Sequence, residues 1–186
     1  MYLRMKYENK LPAIPCNSLN FKLSFPLLSF DEDWFVGISY YRSVNRQFWR
    51  RLALGIDANM YITTVSVIHN TFRNLEPATA DSSYIHAFAG PSVLVRLVPP
   101  ENRMFSTYAA CTFAYNFSNP EIIIQPFLGT RYFLDMNKAV SLEIRYCEYK
   151  ADVVHYMFNP YGSAFHYKVE SIFDKLHANL GIQIVF

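Results

Sequence analysis

The sequence predicts an all-β fold, a transmembrane, antiparallel, up-and-down β-barrel of about eight strands with short periplasmic turns and longer external loops. Three observations carry that expectation. Apolar and polar residues alternate with a period of two from about residue 18 to Phe186, as they do in strands whose successive side chains point to opposite faces. The chain is 52% hydrophobic and 17% aromatic but only 17% charged, whereas a soluble domain is about 25% charged. No run reaches the roughly 18 unbroken apolar residues that a membrane helix needs. If lipid is the solvent, a closed barrel is then the fold that satisfies every backbone group.

The strands follow in order. Weak alternation at 19–29 and 34–42 precedes the clearest case, 52–64, where Leu52, Leu54, Ile56, Ala58, Met60 and Ile62 oppose Gly55, Asp57, Asn59, Tyr61 and Thr63. A strand at 84–97 sets Ile85, Ala87, Val93 and Val95 against His86, Gly90, Ser92 and Arg96, and a weaker one spans 105–117. At 122–135, Ile122, Ile124 and Leu128 oppose Gln125, Gly129 and Arg131; at 140–146, Leu142 and Ile144 oppose Glu143 and Arg145. The last strand, 176–186, sets Leu180, Ile182, Ile184 and Phe186 against His177, Asn179 and Gln183. Pro91 and Pro126 fall inside strands, where each forfeits a ladder bond and suggests a bulge or a local register error.

Connections alternate in length. Pro99–Arg103 and Met136–Lys138 read as turns, 67–82 and 153–174 as long segments, and 118–120 as a short external one, which puts both termini on the periplasmic side. Residues 1–16, with Pro12 and Pro15 and a short alternating piece at Leu3, Met5 and Tyr7, read as an N-terminal arm or as the true first strand. The arm is preferred, leaving 17–186 as a single barrel domain. Met1–Lys10 lacks the apolar region and cleavage site of a signal peptide, so the numbering is expected to start on a mature or trimmed chain.

A soluble ligand-binding barrel would show the same alternation with the apolar set inside. Three features favour apolar side chains outside. Aromatics such as Trp34, Tyr40, Phe105, Tyr115, Tyr132 and Tyr146 sit near segment ends, where interfacial girdles belong. The polar set carries glycine, amides and both signs of charge in mid-strand, which suits a narrow packed lumen. The final strand ends on Phe186. The expected address is the outer membrane of a diderm bacterium, with its lipid and lipopolysaccharide as surroundings.

A net charge of +2 and the absence of a basic stripe argue against nucleic acid. Cys16, Cys111 and Cys147 show neither disulfide arithmetic nor metal-ligand spacing, and no cofactor motif is present, so neither metal nor cofactor is expected.

The stretch Gln125–Tyr149, with its Gly-Thr-Arg-Tyr strand, tight turn and Leu-Glu-Ile-Arg-Tyr strand, resembles the OmpA-like outer-membrane β-barrel family, as does the ending Leu180–Phe186. The resemblance covers mainly 121–186. It implies that Phe186 is an assembly signal read by the barrel-assembly machinery, and it allows a lumen whose ion pairs rearrange as a gate. Three cysteines and two strand prolines depart from the pattern.

The candidate site is the inward polar row: Asp57, Arg96, Arg131, Glu143 and Arg145. In an eight-stranded barrel the interior is just wide enough for side chains, and buried charges must pair, so an ionic ladder is expected. Glu143 is assigned Arg96 or Arg131 as partner, since Arg145 lies two residues along the same strand. A static plug is preferred to a narrow gated pore. Ser163, His166, Glu170 and Ser171, with His155, contain the parts of a nucleophilic triad, which makes a lipid A deacylase or acyltransferase the catalytic alternative. No Gly-x-Ser-x-Gly elbow accompanies them, and the expectation is no enzyme. The aromatic connection from Val153 to Gly162 suits contact with an envelope protein partner or lipopolysaccharide. The function expected is structural, adhesive or in envelope assembly.

Overall fold

Alternating side chains, with no apolar run long enough for a membrane helix, make the described residues strands and the turns that join them. The computed structural model describes residues 17–27, 34–44, 51–71, 78–97, 105–135, 137–158 and 164–186, the backbone alone at 25–26, 65–71, 78–82, 155–158 and 164–167. Eight antiparallel strands close into a barrel in chain order: β1 (Asn17–Pro26), β2 (Trp34–Ser43), β3 (Leu52–Thr71), β4 (Ala78–Arg96), β5 (Phe105–Asn116), β6 (Glu121–Phe133), β7 (Lys138–Phe158) and β8 (Ala164–Val185). The seam is sealed by β1 against β8, from Ser18 opposite Val185 to Pro26 opposite His177. Of the two positions weighed for the first strand, the ladder occupies 17–26; residues 1–16 lie outside the described residues, as does Cys16.

The faces are those of an inside-out protein. Leu54, Ile56 and Met60 are 50%, 61% and 40% exposed, while Asp57, Asn59 and Tyr61 between them are at most 4% exposed. The same alternation runs through β7, where Leu142 and Ile144 point out and Glu143 and Arg145 point in, and through β8, where Leu180 and Ile182 oppose Asn179 and Gln183. Exposed aromatics bound this outer apolar band at both ends: Trp34, Phe117 and Tyr146 at the rim carrying the long hairpins, and Tyr40, Phe105, Tyr132 and Phe186 at the rim carrying the chain ends. These are called the upper and lower rims below.

The wall is uneven in height. β3, β4, β7 and β8 run 19–22 residues and β1, β2, β5 and β6 only 10–13. Much of the 67–82 and 153–174 stretches, read from sequence as long connections, is therefore ladder: β3–β4 pairing continues to His69 opposite Ala78, and β7–β8 pairing to Phe158 opposite Ala164. The two tall hairpins meet above the mouth, where Asn70 and Thr71 of β3 pair in parallel with Met157 and Phe158 of β7.

Both strand prolines keep their register, and neither marks a bulge. Pro91 stays opposite Ile56 of β3, while the β4–β5 ladder lapses between Ala89 opposite Tyr115 and Ser92 opposite Thr112 with no residue inserted. Pro126 marks the upper limit of β6–β7 pairing, which runs from Phe127 opposite Arg145 to Phe133 opposite Ala139. A residue without an N–H cannot extend a ladder. Side chains bridge this join above it: the Gln125 amide donates to Cys147 Sγ at 3.1 Å and Lys150 N donates to Glu121 Oε1 at 2.9 Å.

Candidate functional site

The inward side chains form three layers. In the middle layer four charged groups from three strands converge: Lys22 of β1, Asp57 of β3, and Glu143 and Arg145 of β7. Lys22 Nζ lies 3.1 Å from Asp57 Oδ1 and 3.2 Å from Glu143 Oε2; Arg145 Nη2 lies 2.5 Å from Asp57 Oδ2 and 3.7 Å from Glu143 Oε2. All four side chains are at most 2% exposed. Two cations and two anions cancel, which is what allows the quartet to exist out of water.

Neighbours hold the quartet in place. Tyr108 OH donates to Glu143 Oε1 at 2.7 Å and Thr112 Oγ1 to Asp57 Oδ2 at 3.1 Å, while Arg145 Nη1 donates to Gln125 Oε1 at 3.0 Å. Asn59, with its amide turned as its surroundings require, donates to Asp57 Oδ1 at 3.3 Å and accepts from Arg145 Nη1 at 2.9 Å. The face of Phe127 lies 4.1 Å from the Arg145 guanidinium and 5.3 Å from Lys22 Nζ, within cation–π range. Gly129 makes the Tyr108 bond possible. A Cβ there would come within 2.6 Å of the Tyr108 hydroxyl, so only a glycine lets that phenol cross the lumen to Glu143.

Above the quartet, rings fill the bore. Tyr61 packs edge-on against Phe35 and Phe88, with centroids 4.6 and 5.2 Å away, and His177 lies 5.0 Å from Tyr61. His86 sits 4.7 Å from Tyr149, and the Tyr149 hydroxyl reaches across to Thr63 Oγ1 at 2.7 Å. Below the quartet, Tyr41, Leu94, Tyr108 and Phe127 pack as a second apolar layer, and Tyr41 OH is 2.9 Å from Ser92 Oγ.

Of the five inward residues read from sequence, Asp57, Glu143 and Arg145 meet in the quartet; Arg96 and Arg131 do not. The partnering expected for Glu143 is corrected. Its cations are Lys22 and Arg145: Lys22 reaches it across the bore from β1, and Arg145, two residues along β7, leans with it onto the same Lys22–Asp57 pair. Arg96 lies lower, with Nη2 donating to Ser43 Oγ at 2.7 Å, and Arg131 stacks 4.5 Å over the Tyr108 ring. Lys22 was missed, although Ser18, Asn20, Lys22 and Ser24 form a legible inward row.

Of the triad parts, the side chains of Glu170 and Ser171 are described. Glu170 points outward, its Oε1 2.8 Å from Lys150 Nζ, and the next residue, Ser171, necessarily faces the other way. That hydrogen bond from Lys150 to Glu170 raises the lysine above its ordinary value. Ser163 lies outside the described residues, and the side chains of His155 and His166 lie outside the described ones. Among the described residues no group of three His, Cys, Asp or Glu is placed to hold a metal ion.

No protein-family model matches the chain, OmpA-like models included, and no curated protein matches it in sequence. Solved structures do. The outer membrane protein OprG from Pseudomonas aeruginosa aligns with a TM-score of 0.62 at 11% identity, over 95% of this chain and 99% of that one. The outer membrane protein Ail from Yersinia pestis, solved in a phospholipid bilayer nanodisc, aligns with a TM-score of 0.43 at 13% identity, over 92% and 99%. The OprG likeness is one of fold. With its closed eight-stranded topology and apolar exterior, the chain has the fold of a small outer-membrane β-barrel protein.

Proposed function

We propose that this chain is an integral outer-membrane barrel of a diderm bacterium with a structural or adhesive role, which anchors in lipid and presents its two tall hairpins to a partner in the envelope or outside it. The observation that carries this reading is the pairing of an exposed apolar band with a buried, charge-neutral quartet. In water that arrangement is inverted, since the apolar side chains belong inside and the charges outside. In a bilayer both faces are satisfied. The lumen is a static plug, because aromatic layers pack against the quartet from above and below. Within this class, the resemblance of the stretches 125–149 and 180–186 supports an OmpA-like reading, with Phe186 as the contact for the assembly machinery and lipopolysaccharide against the upper girdle.

The test is refolding into phosphatidylcholine vesicles, read by heat-modifiable gel migration and by current across a planar bilayer. A heat-sensitive folded band without steady conductance is expected. A chain that folds without lipid or detergent would refute the membrane reading, and discrete open channels would refute the plug. Lipid A of unchanged mass in cells making the protein is expected of a barrel without lipid A deacylase or acyltransferase activity.

A further inference from the structure

The barrel separates charge along its axis in a way that chain order conceals, because upper and lower connections alternate in sequence. Among the described residues, the lower strand ends and turns (42–44, 51, 96–97 and 131–138) carry five basic residues, Arg42, Arg51, Arg96, Arg131 and Lys138, and one acidic residue, Asp135. The upper ends (64–71, 78–84, 117–121, 148–158 and 164–175) carry three basic and six acidic residues. The described residues are thus about +4 at one end and about −3 at the other.

Three of the lower cations lie on one arc of the rim. Arg42 of β2 is opposite Asn17 of β1; Asn17 exchanges backbone hydrogen bonds with Phe186, at 2.9 and 3.1 Å; and Lys138 of β7 is opposite Ile184 of β8. Arg51 immediately precedes β3, next to β2. All three are exposed, and among the described residues none makes an ion pair. By contrast, the upper-rim Lys150 and Lys168 are each matched by a carboxylate, Glu170 and Asp152.

Their height relative to the apolar band fixes what they meet. Arg42 follows Tyr40 on the same outward row, and Lys138 precedes Val140 on its own. Two residues of a strand tilted about 40° advance roughly 5 Å along the axis. Arg42 and Lys138 therefore lie one step beyond the girdle, at the depth of lipid headgroups, with Tyr40 OH bonded to Asn17 Oδ1 at 2.9 Å between Arg42 and the hydrocarbon; Arg51, one residue before the outward Leu52, stands at the same rim on its lumen side.

We propose that this arc, Arg42, Arg51 and Lys138, is a binding surface for anionic phospholipid headgroups, of the phosphatidylglycerol type, in the leaflet at the lower rim. The inference rests on the membrane reading above. It adds to it a lipid preference and a fixed orientation of the positive end. Each basic residue at an anionic surface changes partitioning by about fivefold, so the arc selects phosphatidylglycerol over phosphatidylcholine by at least that factor.

The test uses the full chain in phosphatidylcholine vesicles containing trace spin-labelled phosphatidylglycerol or phosphatidylcholine, with motionally restricted lipid measured by electron paramagnetic resonance. At low salt the glycerol lipid is expected to be restricted at least about fivefold more strongly, and R42Q/R51Q/K138Q to bring that ratio close to one. In 1 M salt, where the screening length falls to about 3 Å, the unmodified chain should lose the preference too. Equal restriction of the two lipids, or a preference that survives both the triple change and the salt, overturns the proposal. The salt arm stands even if the triple variant fails to fold. Absence of any restricted lipid overturns the membrane reading itself, a distinguishable result.

Discussion

Asp57→Asn is the sharpest perturbation of the quartet, because it keeps the volume of the side chain and removes only charge. Asp57 faces both cations, Lys22 at 3.1 Å and Arg145 at 2.5 Å, whereas Glu143 is 3.7 Å from Arg145. Without it one carboxylate must serve two buried cations. At an effective dielectric of about 20, a unit pair at about 4 Å interacts by roughly 4 kcal/mol, and breaking a buried pair costs about 3–5 kcal/mol. The expected loss is therefore about 3–5 kcal/mol. Removing the stranded cation as well restores neutrality, so Lys22→Met with Asp57→Asn should be less damaging than the sum of its parts, with a coupling of about 1–3 kcal/mol. Urea unfolding in vesicles, followed by tryptophan fluorescence and gel migration, measures all three variants. Additive costs would refute the quartet as a coupled unit. The same cycle run on Glu143→Gln with Arg131→Gln should show a smaller coupling, since Arg131 reaches Glu143 only through the Tyr108 ring on which it stacks.

Other outcomes follow from single features. Ile56, 61% exposed in the middle of the outward row of β3, should cost about 2–4 kcal/mol when changed to Arg in a bilayer, measured as the urea midpoint in vesicles; an unchanged midpoint would mean that this row does not face lipid. Pro126→Val gives β6 an N–H where its ladder with β7 stops, so stability should rise by about 0.5–1.5 kcal/mol, with slower amide exchange at 146–150; no change in exchange would show that the proline is not what ends the ladder. Deleting Phe186, whose exposed ring closes the outward row of β8, should lower outer-membrane yield in cells while refolding in detergent stays near that of the full chain, and equal relative yields in both assays would remove its role as an assembly signal.

The outer face was legible because lipid demands apolar residues at every second position, and rows such as Leu52 to Ile62 contain little else. The interior was legible only where it is polar. Asp57, Glu143 and Arg145 stand out against their neighbours, but Phe35, Phe88 and Phe127 point inward among equally apolar outward neighbours, and alternation gives no contrast there. Lys22 sits in a polar row on a short strand, visible as a pattern but without a partner in sequence. Which charges meet across the bore depends on barrel shear, a property of all eight strands together. The added height of β7 and β8 was hidden for a related reason: beyond Tyr146 the outward positions turn to Glu148, Lys150 and Asp152, so hydropathy stops where the membrane band ends although the hydrogen-bonded ladder does not.

The uneven wall also has a rhythm. Strand lengths run 10, 10, 20, 19 and then 12, 13, 21, 22, so the second half of the chain repeats the first, and β3 and β7 are counterparts. Where these two touch, they touch in parallel, 70 with 157 and 71 with 158, at like positions counted from their starts to within one residue. Counterparts related by a half-turn about the barrel axis meet in this self-matching way, as the two sides of an isologous dimer do. The barrel is thus organised as two four-stranded halves folded face to face, each ending in a free edge that the other half completes, β4 on β5 and β8 on β1. A chain severed in the 97–104 connection would leave two pieces with mutually complementary edges, so the closed cylinder has a natural line of division and the covalent link there is a tether between partners already shaped to recognise each other.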